Sequence, residues 1–294
     1  MYKVKVCKDV LILSDEKEST TAEIALNNQG ARTVALRHHG KDIIKDLEHK
    51  GYELSQAGSI LFPFANRIKG GTYQFKGKTY QLPCNEPNAN NAIHGLVYNK
   101  AFSLEAIEQR TDRAKVGFSY TEDNPPEGFP FTYRIKVSYT LTASALALKV
   151  KVYNTGEHAF PFNLGWHPYF CVDNFETSYL NFDSHKEVIF DDDMITTGIA
   201  DATLPNPYML KGKNLDDCFV LEDKTVDFHN NGHKISIEGK PKSKYLQLYA
   251  PPGEDRLAIE PMTGISDSFN HKRGVYILKP GQEKSETWKV TFTH

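Results

Sequence analysis

The chain has 294 residues, 35 Lys and Arg against 37 Asp and Glu, and a formal net charge of −2. That balance supplies no field suited to nucleic acid or an anionic membrane surface, so a neutral small molecule is the expected partner. No apolar run is long enough to span a bilayer, and Met1-Tyr2-Lys3-Val4-Lys5-Val6 lacks the continuous apolar stretch of a signal peptide, which makes a cytoplasmic location the expectation. Cys7, Cys84, Cys171 and Cys218 are scattered with no close pair spacing and read as reduced thiols, neither a disulfide frame nor a zinc site.

From Tyr2 to Ile44, short apolar runs such as Val10-Leu11-Ile12-Leu13 alternate with turn residues, Asn27-Asn28-Gln29-Gly30 and His39-Gly40-Lys41, a pattern of hairpins. Ile43 to Leu54 is charged with scattered apolar residues and has room for one short helix. A hairpin is predicted around Lys76-Gly77, with Tyr73, Phe75, Tyr80 and Leu82 on its strands, followed by a polar loop from Pro83 to Asn91. Loops of that kind, carried by a rigid sheet, are where binding groups collect.

Alternation then strengthens. Val116, Phe118 and Tyr120 share one face, as do Tyr133, Ile135, Val137, Tyr139 and Leu141, then Leu146, Leu148, Val150 and Val152. Ile235 and Ile237, Leu246 and Leu248, and Trp288, Val290 and Phe292 carry the same period of two to the C-terminus. No long amphipathic helix, linker or repeat interrupts this, so the expectation is an all-β sandwich or barrel forming a single domain over residues 1–294.

Four polar stations stand out. In Asn163-Leu164-Gly165-Trp166-His167-Pro168-Tyr169-Phe170, Pro168 restricts His167 to extended geometry and Gly165 lets the chain bend, which sets the imidazole at a strand end on an aromatic wall. In Leu257-Ala258-Ile259-Glu260-Pro261-Met262, the carboxylate of Glu260 follows an apolar strand and precedes a proline that restricts its backbone in the same way. Asn66-Arg67 and His94 are the other two. Taken singly, each has a structural reading: a packed histidine, an exposed glutamate, an ion-paired arginine, a loop-capping histidine. Held in one pocket, a carboxylate and an imidazole make a general base and a general acid. His229 and His233 are spaced for a metal only on a helix, and Asn230-Asn231-Gly232 between them favours a β-turn.

Asn66-Arg67-Ile68, Ile93-His94-Gly95, Gly165 to Phe170, Leu215-Asp216-Asp217-Cys218-Phe219, and Ile259-Glu260-Pro261 through Phe269-Asn270 together resemble the aldose 1-epimerase (mutarotase) family, in the right order over nearly the whole chain. The resemblance implies a large galactose mutarotase-like β-supersandwich with few short helices, a sugar cleft on one sheet, no metal or organic cofactor, and a monomer or weak homodimer. It implies Glu260 as catalytic base, His167 as catalytic acid and His94 as a second histidine near the ring oxygen. Arg67 and Asp216, with Asn66 beside them, would hold sugar hydroxyls; the adjacent Asp217 leaves the choice of aspartate open. The implied reaction is exchange of the α and β anomers of a free aldohexose. A hexose 6-phosphate substrate, with Lys69, Arg256, Lys272 or Arg273 as phosphate ligands, and a non-catalytic carbohydrate-binding role are the alternatives.

Overall fold

The structure is a computed structural model that describes residues 1–17, 19–47, 50–86, 88–241 and 243–293. Two large antiparallel sheets face each other. The first has thirteen strands and begins at one edge with Lys3–Val6, Val10–Ser14, Thr20–Ala25, Thr33–His38 and Lys41–Lys45, each paired with the next. It continues through Tyr169–Cys171, Arg256–Met262, Tyr245–Tyr249, Asp216–Val220 and Lys186–Phe190 to Thr196–Asp201, with Ile60–Leu61 and Gly165–Trp166 attached beside Arg256–Met262. The second has nine strands and is built on Ala114–Glu122, Tyr133–Leu141, Ala145–Asn154, Glu283–Thr293 and His233–Lys240.

The expected all-β sandwich is what these strands form. Tyr133, Ile135, Val137, Tyr139 and Leu141 are buried, and each residue between them is only half-buried. One apolar core joins the two sheets: Leu11, Leu36, Phe170, Leu248 and Ile259 from the first meet Phe118, Val137, Leu148, Trp288 and Val290 from the second. Burying each such side chain contributes about 1.5–3 kcal/mol before the entropy of ordering is subtracted.

The turns follow the sequence. Lys76-Gly77 and Asn231-Gly232 both hold positive φ, which closes two-residue hairpins with the twist that the strands require. The second of these turns separates His229 from His233, and no cluster able to hold a metal is present among the described residues. All four cysteines are free. Helix is short wherever it occurs, as at Tyr52–Ser55 and Ser268–His271, and among the described residues no helix is long and apolar enough to cross a membrane.

The middle of the first sheet has a fault in its ladder. Gly165 pairs with Met262 and Tyr169 with Ala258, a single register that sets His167 opposite Glu260. Pro168 and Pro261 carry no N–H, so the ladder lapses between these pairs. On its other side His167 is held twice: its N–H donates to the Ser59 carbonyl at 3.0 Å, and its carbonyl accepts from the Gly58 N–H at 2.7 Å.

Candidate active site

Glu260 lies inside the strand Arg256–Met262, not at the strand end expected from its position before Pro261, and it is 3% exposed. Alternation along that strand turns Ile259 into the core and Glu260 to the opposite face, level with Gln247 on the neighbouring strand. His167 Nδ1 stands 3.5 Å from Glu260 Oε1. The aromatic wall around His167 differs from the expected one. Trp166 faces the other way, stacked near Trp288 in the core, while the His167 ring stacks on Tyr169 and meets His94 edge-on, each with centroids 4.9 Å apart.

These side chains floor a cleft of about 250 Å³ whose lining includes all six residues singled out in the sequence: Asn66, Arg67, His94, His167, Asp216 and Glu260. Arg67 Nε and Nη2 hold Glu86 Oε1 at 2.8 and 2.7 Å, and Arg67 Nη1 donates to Asn66 Oδ1 at 3.2 Å. Asn66 Nδ2 reaches Gln247 Oε1 at 3.3 Å, and Gln247 Nε2 donates to Asp216 Oδ1 at 2.8 Å. A chain of amides thus ties Arg67 to Asp216 across the cleft. Asp216 pairs with Tyr249 and lines the cleft, whereas Asp217 pairs with Leu248, whose side chain belongs to the core side of the sheet. Alternation therefore separates the two aspartates that their adjacency left ambiguous.

Burial dominates the electrostatics. It raises the Glu260 carboxyl well above the usual carboxylate range; Asp216 adds to the rise and Arg67 opposes it. It lowers the His167 imidazole to about 3, and together with His167 and Arg67 it holds His94 well below the usual range. Asp216 is pushed up to about 6, by burial first, with Arg67 and the Gln247 hydrogen bond opposing and Asp217 and Glu86 adding. Burial therefore favours a neutral imidazole beside a protonated Glu260. Nδ1 of both histidines and Oε2 of Glu260 are enclosed without a hydrogen-bond partner, an uncommon cluster of unsatisfied atoms.

A sequence profile of the aldose 1-epimerase family matches residues 12–291. The chain belongs to the aldose 1-epimerase family. Among curated relatives, the uncharacterized Escherichia coli protein YihR is 26% identical over 270 residues, covering 86% of this chain and 84% of that one. Human galactose mutarotase is 27% identical over 213 residues, which cover 67% of this chain but 57% of the mutarotase. In fold, a galactose mutarotase-like protein from Clostridium acetobutylicum superimposes with a TM-score of 0.89 at 22% identity, over 100% of this chain and 98% of the other. The galactose 1-epimerase of Lactobacillus acidophilus gives 0.79 at 16% identity, over 100% and 98%. The fold is thus the galactose mutarotase-like sandwich.

Two parts of this aldose 1-epimerase cleft escape the sequence reading. Gln247 and Tyr249 sit in a strand whose visible signal, Leu246 and Leu248, is that of core residues, and the site face is the complementary set. The rim segment from Glu53 to Gln56 belongs to a stretch with no periodicity, and it comes to the cleft only because Gly58 and Ser59 pair with His167. Gly58 holds φ +74°, and a Cβ there would stand 1.8 Å from the Thr33 carbonyl oxygen. Gly58→Ala is expected to lower stability by about 2–4 kcal/mol and to displace His167; thermal unfolding together with activity checks both.

The shift of Asp216 gives a second expected result. A carboxyl whose folded pKa is raised contributes stability below its unfolded value near 3.8 that is lost as pH rises through about 6. Asp216→Asn removes that loss, so the Tm difference between variant and wild type should become more positive from pH 4 to pH 7 (roughly) as the linkage slope of about 1.4 kcal/mol per pH unit accumulates. A difference that stays constant with pH would show that Asp216 ionises normally.

Proposed function

We propose that this protein is an aldose 1-epimerase in activity as well as in family, a single unit that interconverts the α and β anomers of a free aldohexose. The observation that carries this is the facing pair: a buried imidazole and a buried carboxyl 3.5 Å apart at the floor of a polar cleft. Ring opening moves a proton from the anomeric oxygen to the ring oxygen as the bond between C1 and the ring oxygen breaks and a carbonyl forms. Both oxygens are attached to C1, so one base and one acid side by side are placed to serve them.

In this reading Glu260 takes the anomeric proton and His167 protonates the ring oxygen. The pair then passes from carboxylate and imidazolium to carboxyl and neutral imidazole, with its total proton count unchanged. Burial favours the second form, which the pair also holds before sugar binds, so hydrogen bonds from the bound sugar must favour carboxylate and imidazolium before the ring opens. After rotation about the bond between C1 and C2, the same two groups reverse roles and close the ring on the other face. His94, kept neutral, offers a hydrogen bond without competing for the proton. Arg67 and Asp216, joined through Asn66 and Gln247, orient hydroxyls by charge-assisted hydrogen bonds.

A free sugar is favoured over a sugar phosphate. The lining carries Glu53, Glu86, Asp216 and Glu260 against the guanidinium of Arg67, which already pairs with Glu86. None of Lys69, Arg256, Lys272 and Arg273 lines the cleft. The test is the decay of optical rotation of freshly dissolved α-D-glucose and α-D-galactose. Acceleration over the buffer rate supports the proposal, and decay at the buffer rate with both sugars sinks it.

A further inference from the structure

Three cleft-lining residues other than glycine hold a left-handed backbone: Asn66 at φ 57°, His94 at φ 59° and Gln56 at φ 44°. Such geometry costs free energy for any residue with a Cβ and persists where surrounding contacts enforce it, often at functional sites. Asn66 and His94 already belong to the candidate site, whereas Gln56 has had no role so far. Its backbone is pinned on both sides: its N–H donates to the Tyr52 carbonyl at 2.7 Å, and its carbonyl accepts from the Ser59 N–H at 3.1 Å. The base of this rim is anchored in turn, because the Tyr52 hydroxyl lies 2.8 Å from Ser59 Oγ and donates to the Tyr98 carbonyl at 2.7 Å.

The side chain does not share this satisfaction. Gln56 is 5% exposed, its Oε1 is enclosed without a partner, and its amide makes no hydrogen bond among the described residues. An amide oxygen taken out of water and left unpaired is a stability cost that one added hydrogen bond would offset. Gln56 lines the cleft two residues before Gly58, whose N–H bonds the His167 carbonyl.

We propose that Gln56 is a specificity-determining residue that hydrogen-bonds one non-anomeric hydroxyl of the bound aldose. The proposal rests on the reading of this cleft as an aldose site. An amide matches a hydroxyl because each both donates and accepts. The acidic lining around it suits a neutral polyol and opposes an anion. A site built to hydrogen-bond a hydroxyl discriminates strongly against an analogue lacking it, since the protein group is then left buried and unpaired.

The test uses Gln56→Met, which keeps length and removes both polar atoms, and Gln56→Asn, which suits a left-handed backbone and withdraws the amide. Mutarotation rates are measured on D-glucose, D-galactose and 2-, 3-, 4- and 6-deoxy-D-glucose, with Tm alongside. Both variants are expected to lose about tenfold in kcat/KM on the parent sugar, the worth of one hydrogen bond, while Gln56→Met holds or raises Tm. For one deoxy sugar, wild type and variants should turn over equally, and that sugar names the hydroxyl. Unchanged activity on the parent sugars overturns the proposal, as does the same fold loss on every deoxy sugar or a uniform loss with a lowered Tm. If wild type accelerates no aldose, the epimerase reading fails separately, and calorimetric titration with D-galactose decides the role of Gln56. A roughly tenfold weaker Kd in Gln56→Met supports it; an equal Kd, or no binding by wild type, overturns it.

Discussion

Glu260→Gln is expected to reduce the acceleration of mutarotation by about 10²–10⁴-fold, the range that one acid–base partner supplies. The substitution preserves volume and hydrogen-bonding shape on a strand that is fixed on both sides, so the fold should be retained. It removes the group proposed to take up the anomeric proton, and among the described residues Glu260 is the carboxyl that meets the His167 ring, at 3.5 Å. Stability should move the opposite way. Burial raises the Glu260 pKa well above its unfolded value near 4.5, so this group favours the folded state below that value, and the contribution is lost as pH rises toward the folded pKa. Glutamine carries no such loss. The variant should therefore match or exceed wild type in Tm at neutral pH, by a margin that shrinks toward pH 4.5. Polarimetry at matched protein concentration with thermal scans at several pH values checks both halves. Retained activity in a folded Glu260→Gln protein would remove Glu260 from the chemistry.

His167→Asn should produce a loss of similar size, about 10²–10⁴-fold, by removing the group proposed to protonate the ring oxygen. Its pH signature is distinct. The imidazole is lowered to about 3 from 6.5, so its contribution to stability is complete above 6.5 and is lost as pH falls toward 3. Within this window His167 contributes a loss of stability on acidification with a slope of about 1.4 kcal/mol per pH unit, set against the opposite slopes of Glu260 and Asp216. His94, lowered in the same sense, adds to that slope. His167→Asn should flatten the acid limb by one proton's worth and leave the His94 part. Urea unfolding at pH 4 to 7 (roughly) measures the slope directly; equal slopes in variant and wild type would mean that His167 stays accessible to protons.

The strands were largely readable because burial on one face writes a period of two into the residues, as in Tyr133 to Leu141. Turns were readable for a different reason: Lys76-Gly77 and Asn231-Gly232 need backbone angles that few residues tolerate. The six candidate residues were legible through five short motifs in the right order, and they do converge on one cleft. Pairing of strands was not legible, because the contacts of the central sheet join segments far apart in sequence. That is why Glu260 looked like a strand-end residue, and why Trp166, adjacent to His167 in sequence, seemed part of its wall when alternation sends it to the core. Gln56 left no pattern at all, since its place follows from a left-handed turn and from the pairing of Gly58 and Ser59 with His167.

The fault in the central ladder also bears on how the protein is made. Its two flanks are Tyr169–Cys171 and Arg256–Met262, and Tyr169–Cys171 is joined on the other side to Lys41–Lys45, so the floor of the cleft is assembled from the two ends and the middle of the chain. The hairpins from Val10 to Lys45 pair neighbours and close small loops, whereas the floor must wait for loop closures across most of the sequence, the slow class of folding event. During synthesis, His167 leaves the ribosome well before Glu260 and lacks that carboxyl until the last third of the chain follows. Recovery of sugar turnover on refolding should therefore trail the return of β-sheet signal, making catalysis the reporter of the final joining step.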